Sequence, residues 1–525
     1  MFGVKRITTI LSVALLTAVF LLVPLPSNAA PEKGTVAPSP QKGGVLKIAY
    51  TADPGSLDFH KNGNSALFAI TGHVVEGLFD YDSTYTLQPM LADGHKESPD
   101  RLTHTINLRK GVLFHNHKEL TADDVVATVK RHHKCSRVFL EIRNYMESIK
   151  AKDKYTVEVR LKKPYPEFLY NMVGGIIPKE LAEKYPETEI PDKEVIGTGP
   201  YQVKVRAPDR YVELVRFDRY VSRTEKPDGY VGRKYAYVDK MIFYILPDPA
   251  VRLMGVETGE YHYAFGVNHA DYQRIIDNPQ LEPRVSKASA SLGCMFNCKE
   301  GGLTANIKLR QAVAAALNAE PVMKAAYLYP QLYSLESSFI WPQTKQWYTK
   351  AGAEYYNQNN PKKAKQLLKE AGYQGETLIM LGIAEIEYLR NACMVVHNQL
   401  RNIGLNVDLQ LVDQNTFASR LLAGKWNMVT AVSSFIPFPS LFYWTREKER
   451  ITGWTSEKKV RLAHQLRQGT SAAERFKAWE EMQKMAYEEA ARTKFGNGSS
   501  LAASTVKATG WGEMWSLRFW NVWFK

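Results

Sequence analysis

Three clusters in this chain have side chains suited to chemistry. His115-Asn116-His117 and His132-His133-Lys134-Cys135 gather imidazoles and a thiol, and Cys294 lies four residues before Cys298. Imidazole and thiolate are the groups that bind transition metals. The spacing argues against a metal centre here. Adjacent histidines on a helix point in different directions, and Cys294 and Cys298 have no second matching pair to complete a zinc site. The four cysteines, Cys135, Cys294, Cys298 and Cys393, admit three complete pairings; one bridge between distant segments would suit an exported chain. No Gly-x-Ser-x-Gly elbow, phosphate-binding glycine loop or His-Glu-x-x-His helix occurs. An enzyme is therefore not expected, and neither a metal nor another cofactor. Eight tyrosines and tryptophans between Tyr327 and Tyr356 suggest another use, since aromatic walls suit organic ligands.

The elements that would hold these residues alternate between strand and helix. Tyr155, Val157, Val159 and Leu161 alternate with polar residues, which predicts a half-buried strand ended by Pro164 and Pro166. Thr121 with Asp124 three residues on predicts a capping box, and Val125, Val126 and Val129 supply the buried face of its helix. Met241 to Leu246 reads as a short strand, then Ala250 to Thr258 as a helix with Gly259 as its left-handed cap. In the second half, helices are predicted at Ile307 to Asn318, Pro361 to Ala371, Asn391 to Ile403, Phe417 to Leu422 and Ala472 to Ala490. Leu405, Val407, Leu409 and Leu411 predict a strand between two of them. The fold class is α/β, with helices packed on sheet faces.

The chain opens with Lys5 and Arg6, an uncharged apolar run from Leu11 to Leu25, and Ser27-Asn28-Ala29. That is the pattern of a cleaved signal peptide. The apolar run is about 15 residues, short of the ~20 needed to cross a bilayer. Residues 1–30 are read as the signal and 31–44, rich in proline and glycine, as a linker. Export to the periplasm is expected. The remainder is too long for one core. At 45% hydrophobic and 23% charged the full chain has an ordinary globular composition. The net charge of +14 is spread along the chain, and the densest stretch, Arg446-Glu447-Lys448-Glu449-Arg450, alternates in sign. A dispersed basic surface, with no nucleic-acid partner, is the expectation.

Several segments resemble the extracellular solute-binding proteins of family 5, the dipeptide-, oligopeptide- and nickel-binding components of ABC importers. They begin with Gly43-Gly44-Val45-Leu46 and Asp53-Pro54-Gly55-Ser56-Leu57-Asp58, and continue with Val75-Glu76-Gly77-Leu78-Phe79-Asp80. The stretch from Leu108 through His115 to Val125 is similar to the family's most recognisable one. Gly197-Thr198-Gly199-Pro200-Tyr201, Leu309-Arg310-Gln311-Ala312, Glu370-Ala371-Gly372-Tyr373 and Phe519-Trp520-Asn521-Val522-Trp523 follow in the same order. The resemblance implies a two-lobed periplasmic-binding-protein fold with a ligand enclosed between lobes. It implies an N-terminal lobe from 45–81, 191–275 and 485–525, a subdomain at 82–190, and a C-terminal lobe at 276–484. It also implies a monomer that hands a peptide-like or other small organic ligand to the transmembrane subunits of an ABC permease.

Departures from the family pattern matter for the ligand. Peptide-binding relatives often carry an aspartate for the ligand's amino group where this chain reads Ala431-Val432-Ser433-Ser434-Phe435-Ile436-Pro437-Phe438. No acid is present, and a buried ammonium without a partner is costly. His117 stands where glycine is usual and His262 where aspartate is common. The candidate ligand-binding residues are Trp341, the loop residues Ser433, Ser434, Phe435 and Phe438, and Trp444. Ser56 and Leu57 join them because the family backbone approaches ligand there. Arg143 is included because a guanidinium binds carboxylate bidentately. Alternatives are a metal-chelate or haem receptor of the same fold, a secreted enzyme, or a signalling sensor.

Overall fold

Val45 opens the first strand, Val45–Tyr50, after Gly43 donates its N–H to the Tyr237 carbonyl at 2.8 Å. The computed structural model describes residues 39–61, 64–135, 142–286, 290–512, 514 and 517–525. The expected signal peptide at 1–30, and the linker up to residue 38, lie outside the described residues. Leu46, Ile48, Ala49 and Tyr50 are all buried, and Val45 and Lys47 are half-buried. The strand is accordingly an inner one, paired in parallel with Lys240–Ile245 on one side and Tyr263–Ala264 on the other.

These strands belong to a seven-stranded sheet whose order is Leu281–Val285, Leu501–Thr505, Tyr263–Ala264, Val45–Tyr50, Lys240–Ile245, Tyr211–Arg216, Tyr201–Ala207. A six-stranded sheet runs Tyr333–Ser334, Arg492–Gly498, Ala290–Phe296, Met428–Ser434, Leu378–Ile383, Val407–Val412. A four-stranded antiparallel sheet is formed by Ala92–Glu97, Thr103–Leu108, Thr156–Leu161 and Met146–Asp153.

The chain passes between the two large sheets twice, once from Val285 to Ala290 and once from Gly498 to Leu501. Ser286 donates its N–H to the Ser500 carbonyl at 3.1 Å, which ties the two crossings together. Pairing fixes where the crossings fall: Leu281–Val285 is bonded along its length to Leu501–Thr505, and Arg492–Gly498 to Ala290–Phe296.

Local sequence signals map closely onto elements. Val157, Val159 and Leu161 are buried along the strand Thr156–Leu161. Thr121 donates both its N–H and its hydroxyl to Asp124 at 2.8 Å, the reciprocal bond that opens the helix Ala122–Cys135. The remaining predicted helices appear as Pro249–Glu257, Ile307–Ala316, Pro361–Glu370, Glu387–Asn402, Gln414–Ala423 and Ala472–Glu488. Glu387–Asn402 starts four residues earlier than its apolar pattern suggested. His117, exposed at the turn Phe114–Lys118, has φ of +66°, which explains why glycine suits that position.

The cysteine expectation is corrected: Cys135, Cys294, Cys298 and Cys393 are all free thiols. Burial in the helix-covered core raises Cys294 to about 11 and Cys393 to about 12, so both are held as neutral thiols. No helix among the described residues is long and apolar enough to cross a membrane.

Candidate ligand-binding cleft

Two aromatic bridges join the N-terminal segments to the six-stranded sheet and its cover. In the first, the Phe435 ring lies 4.0 Å from Tyr85 and 5.2 Å from Trp341, the latter in an edge-to-face arrangement. In the second, Phe438 lies 4.0 Å from Tyr170, which in turn meets Tyr81 at 6.1 Å. Tyr85 is held in place by the turn before it. Asp82 accepts from the Thr84 N–H at 2.9 Å, the Thr84 hydroxyl at 2.7 Å and the Thr86 N–H at 3.0 Å. Burial would raise the Asp82 carboxyl, but these hydrogen bonds hold it below the ordinary carboxylate range. A Cβ at Gly229, where φ is +59°, would meet the Asp82 carbonyl carbon at 2.5 Å, so glycine lets that segment pass close to the turn.

Polar contacts run beside the aromatic ones. Glu167 accepts from the Ser440 hydroxyl at 3.1 Å and pairs with Arg475 at 3.5 Å. Burial pushes its carboxyl above the usual range despite the Arg475 charge. Gln346 donates to the Tyr170 hydroxyl at 3.2 Å, Gln468 to the Tyr145 hydroxyl at 2.7 Å, and Arg101 to the Thr470 carbonyl at 2.7 Å. Residues between 82 and 170 are thus fastened to residues between 346 and 475 by tilted ring contacts and hydrogen bonds.

Below the rings, one face of the six-stranded sheet carries two cations. Lys494 is 3% exposed, donates to the Ser338 carbonyl and stands 5.5 Å from the Trp341 ring centroid. Burial pushes it down to about 7. Arg492 lies over the Tyr443 and Trp444 rings, 5.4 Å from each, and donates to the Tyr443 hydroxyl at 2.8 Å. A cavity of about 20 Å³ is lined by Ser291, Ser433, Met295, Phe339 and Arg492. A second, of about 80 Å³, lies at the sheet crossings against Phe265, Arg284, Ser286 and Ser500.

The structure sorts the residues singled out from sequence. Trp341, Phe435 and Phe438 come together in the aromatic bridges, and Ser433 lines the smaller cavity. Ser434 ends the same strand and is exposed. Trp444 is packed among Phe339, Phe442, Trp454 and Trp479, a core position that also supports Arg492. Leu57 is fully buried in the core of the seven-stranded sheet, and its N–H donates to Asp192 at 2.8 Å. Ser56 accepts from the Asp58 N–H at 3.1 Å, a local turn bond. Arg143 sits in the short helix Ile142–Tyr145 beside His133.

The histidine clusters have structural partners. Gly197 donates its N–H to His115 Nδ1 at 3.2 Å, and Nε2 bonds the Gly199 carbonyl at 3.0 Å. The His132 ring lies 4.2 Å from that of His60, tilted by 45°. No group of three His, Cys, Asp or Glu among the described residues is arranged to hold a metal ion.

Sequence reasoning passed over Tyr85, Glu167, Tyr170, Arg492 and Lys494. Only the last two left a signal, as alternate cations on one face of a predictable strand.

Residues 86–450 match the family described as Bacterial extracellular solute-binding proteins, family 5 Middle, which is more than half of the chain. The chain belongs to this family. Among family 5 relatives, the probable peptide ABC transporter periplasmic-binding protein y4tO of Sinorhizobium fredii is 29% identical over 66% of this chain and 66% of its own length. The oligopeptide-binding protein AppA of Bacillus subtilis is 26% identical over 83% of this chain and 82% of its own length. The fold is that of a crystal structure of the ABC transporter substrate-binding protein CtaP from Listeria monocytogenes, with a TM-score of 0.81. That match has 22% identity and covers 92% of this chain and 100% of the other.

Proposed function

We infer that this protein captures a small organic solute, peptide-like in the broad sense, by closing two lobes around it in the periplasm. It then delivers the solute to the transmembrane subunits of an ABC permease, acting as a monomeric carrier without catalysis. The observation that carries the reading is the pair of aromatic bridges, Tyr85–Phe435 and Tyr170–Phe438, across a molecule in which, among the described strands, the chain passes between the two large sheets twice. Few crossings make a hinge, and rings that meet across the gap make a closed state. The lobes divide between the strands Leu281–Val285 and Ala290–Phe296 and between Arg492–Gly498 and Leu501–Thr505, and 82–190 acts as a subdomain that seals the mouth.

The relatives support the cargo class, since y4tO and AppA are named for peptide and oligopeptide binding. Sugars, opines and metal chelates belong in the same screen. A true ligand stabilises the protein by RT ln(1 + [L]/Kd), about 2.7 kcal/mol at a hundredfold excess over Kd. Thermal unfolding of the mature protein against such a panel is the test. One solute class should raise the midpoint by several degrees; a midpoint that ignores the whole panel ends the reading. Phe435→Ala should weaken a positive ligand about tenfold by isothermal calorimetry.

A further inference from the structure

The cation pair under the aromatic bridges is unbalanced, and that imbalance bears on the charge of the cargo. Arg492 is half-buried, with its guanidinium set against two rings. Its protein partners are the Tyr443 hydroxyl at 2.8 Å and the Met295 sulfur at 4.0 Å, neither of them a carboxylate. A guanidinium has five N–H donors in a fixed fork and keeps its charge at any pH a cell offers. Here most of that fork is left for something else. The cavity it lines contains no acid among the described residues; its other polar side chains are the hydroxyls of Ser291, Ser433 and Thr493 and the thiol of Cys294. Two residues along the strand, Lys494 adds a second buried cation, whose nearest acidic influence, Glu336, makes no ion pair with it. The adjoining loop, Ala431 to Ser440, has no Asp or Glu that would hold an ammonium.

An uncompensated buried charge is expensive, so a site that keeps one is arranged for a counter-charge that arrives from outside. The ring contacts orient the guanidinium before the counter-charge comes, which lowers the ordering cost of binding. We propose that Arg492, with the Ser433 and Ser291 hydroxyls, receives a carboxylate of the cargo. The transported solute is then an organic acid without a free amine near this end, with its apolar or aromatic part against Trp341 and Phe435. This rests on the solute-capture reading and names the substrate class for it.

The test compares carboxylates with their own primary amides. N-acyl amino acids such as N-acetyl-tryptophan, aromatic acids and sugar acids are titrated by calorimetry beside the matched amides and a set of free-amine dipeptides. The wild-type protein should bind one class of acids at least tenfold more tightly than the amides. Arg492→Gln should erase that preference, weakening the acids at least tenfold more than their matched amides, which a merely structural role of Arg492 would not do. Ser433→Asp, which places an acid in the same cavity, should reverse the preference toward amines, and it serves if Arg492→Gln fails to fold. Acids and amides bound equally, dipeptides preferred by the wild type, or a preference that survives Arg492→Gln would each overturn the proposal and leave solute capture standing. If no acid, amide or dipeptide binds, the proposal falls, and the solute-capture reading is decided by the wider thermal panel.

Discussion

Lys494 has lost nearly all of its water, and its ammonium donates to the Ser338 carbonyl. Burial lowers it to about 7 from an ordinary value of 10.5. The unfolded chain therefore binds this proton across the window from about pH 7 to pH 10.5, where the folded chain has released it. In that window the lysine makes stability rise with pH; below it, the full cost of a buried charge is present. Lys494→Met removes the cost. Urea midpoints at pH 7, 8.5 and 10 should show the variant more stable at pH 7 and the gap closing by up to about 1.4 kcal/mol per pH unit. Parallel curves would mean that Lys494 is solvated after all. The unbonded indole N–H of Trp341 belongs to the same picture, because a buried donor without a partner marks a place where polar ligand atoms are welcome.

Among the elements, the short helix Phe168–Met172 with the preceding Glu167 reaches the second half of the chain. It presents Glu167 to Ser440 and Arg475, and Tyr170 to Phe438. Removing one partner of a buried pair costs more than the pair contributes, because the other charge is left behind. Glu167→Ala should therefore speed release of a bound ligand about tenfold in stopped-flow fluorescence, with a larger radius of gyration in small-angle scattering. Release and radius both equal to wild type would remove this element from closure. Its role could not be found by pattern. Glu167 and Tyr170 follow Pro164 and Pro166 in a stretch with no strong periodicity, and their partners are about 270 residues away. The helix Ala122–Cys135 is the opposite case: its capping box and valine face are local, and both appear where the pattern put them.

For the whole molecule, acid should be the condition that undoes it. His60 and His73 are buried without water, and burial lowers both to about 3. His60 is wedged beside Arg131, and His73 accepts from the Phe519 N–H at 2.7 Å while stacking on its ring. The unfolded chain takes up these protons near pH 6.5, whereas the folded one waits until about 3. Stability contributed by the two histidines is complete above pH 6.5 and falls as pH drops toward 3, by up to about 1.4 kcal/mol per unit for each. Thermal midpoints from pH 7 to pH 4 should fall steadily; a flat profile would show that these rings are protonated in the native state. His73 also ties the helix Ser65–Thr71 to the C-terminal segment, so acid loosens contacts between the two ends of the chain.

The sequence by itself settled what depends on neighbours along the chain. Strand alternation, capping residues, glycine-ended helices and the ordered family segments fix the elements and the solute-binding fold, because each is a contest decided within a few residues. The candidate loop was found the same way, from an acid missing between Ala431 and Ser440. Tertiary structure decided what depends on distance. It moved Trp444 and Leu57 into cores, left four cysteines as thiols, and paired Leu281–Val285 with Leu501–Thr505 and Arg492–Gly498 with Ala290–Phe296 across about two hundred residues of sequence. It also brought Tyr85, Tyr170 and Glu167 against the second half of the chain, and left Arg492 facing a cavity without an acid. The charge balance of a site is a sum over residues that only folding brings together, and no local pattern carries that sum.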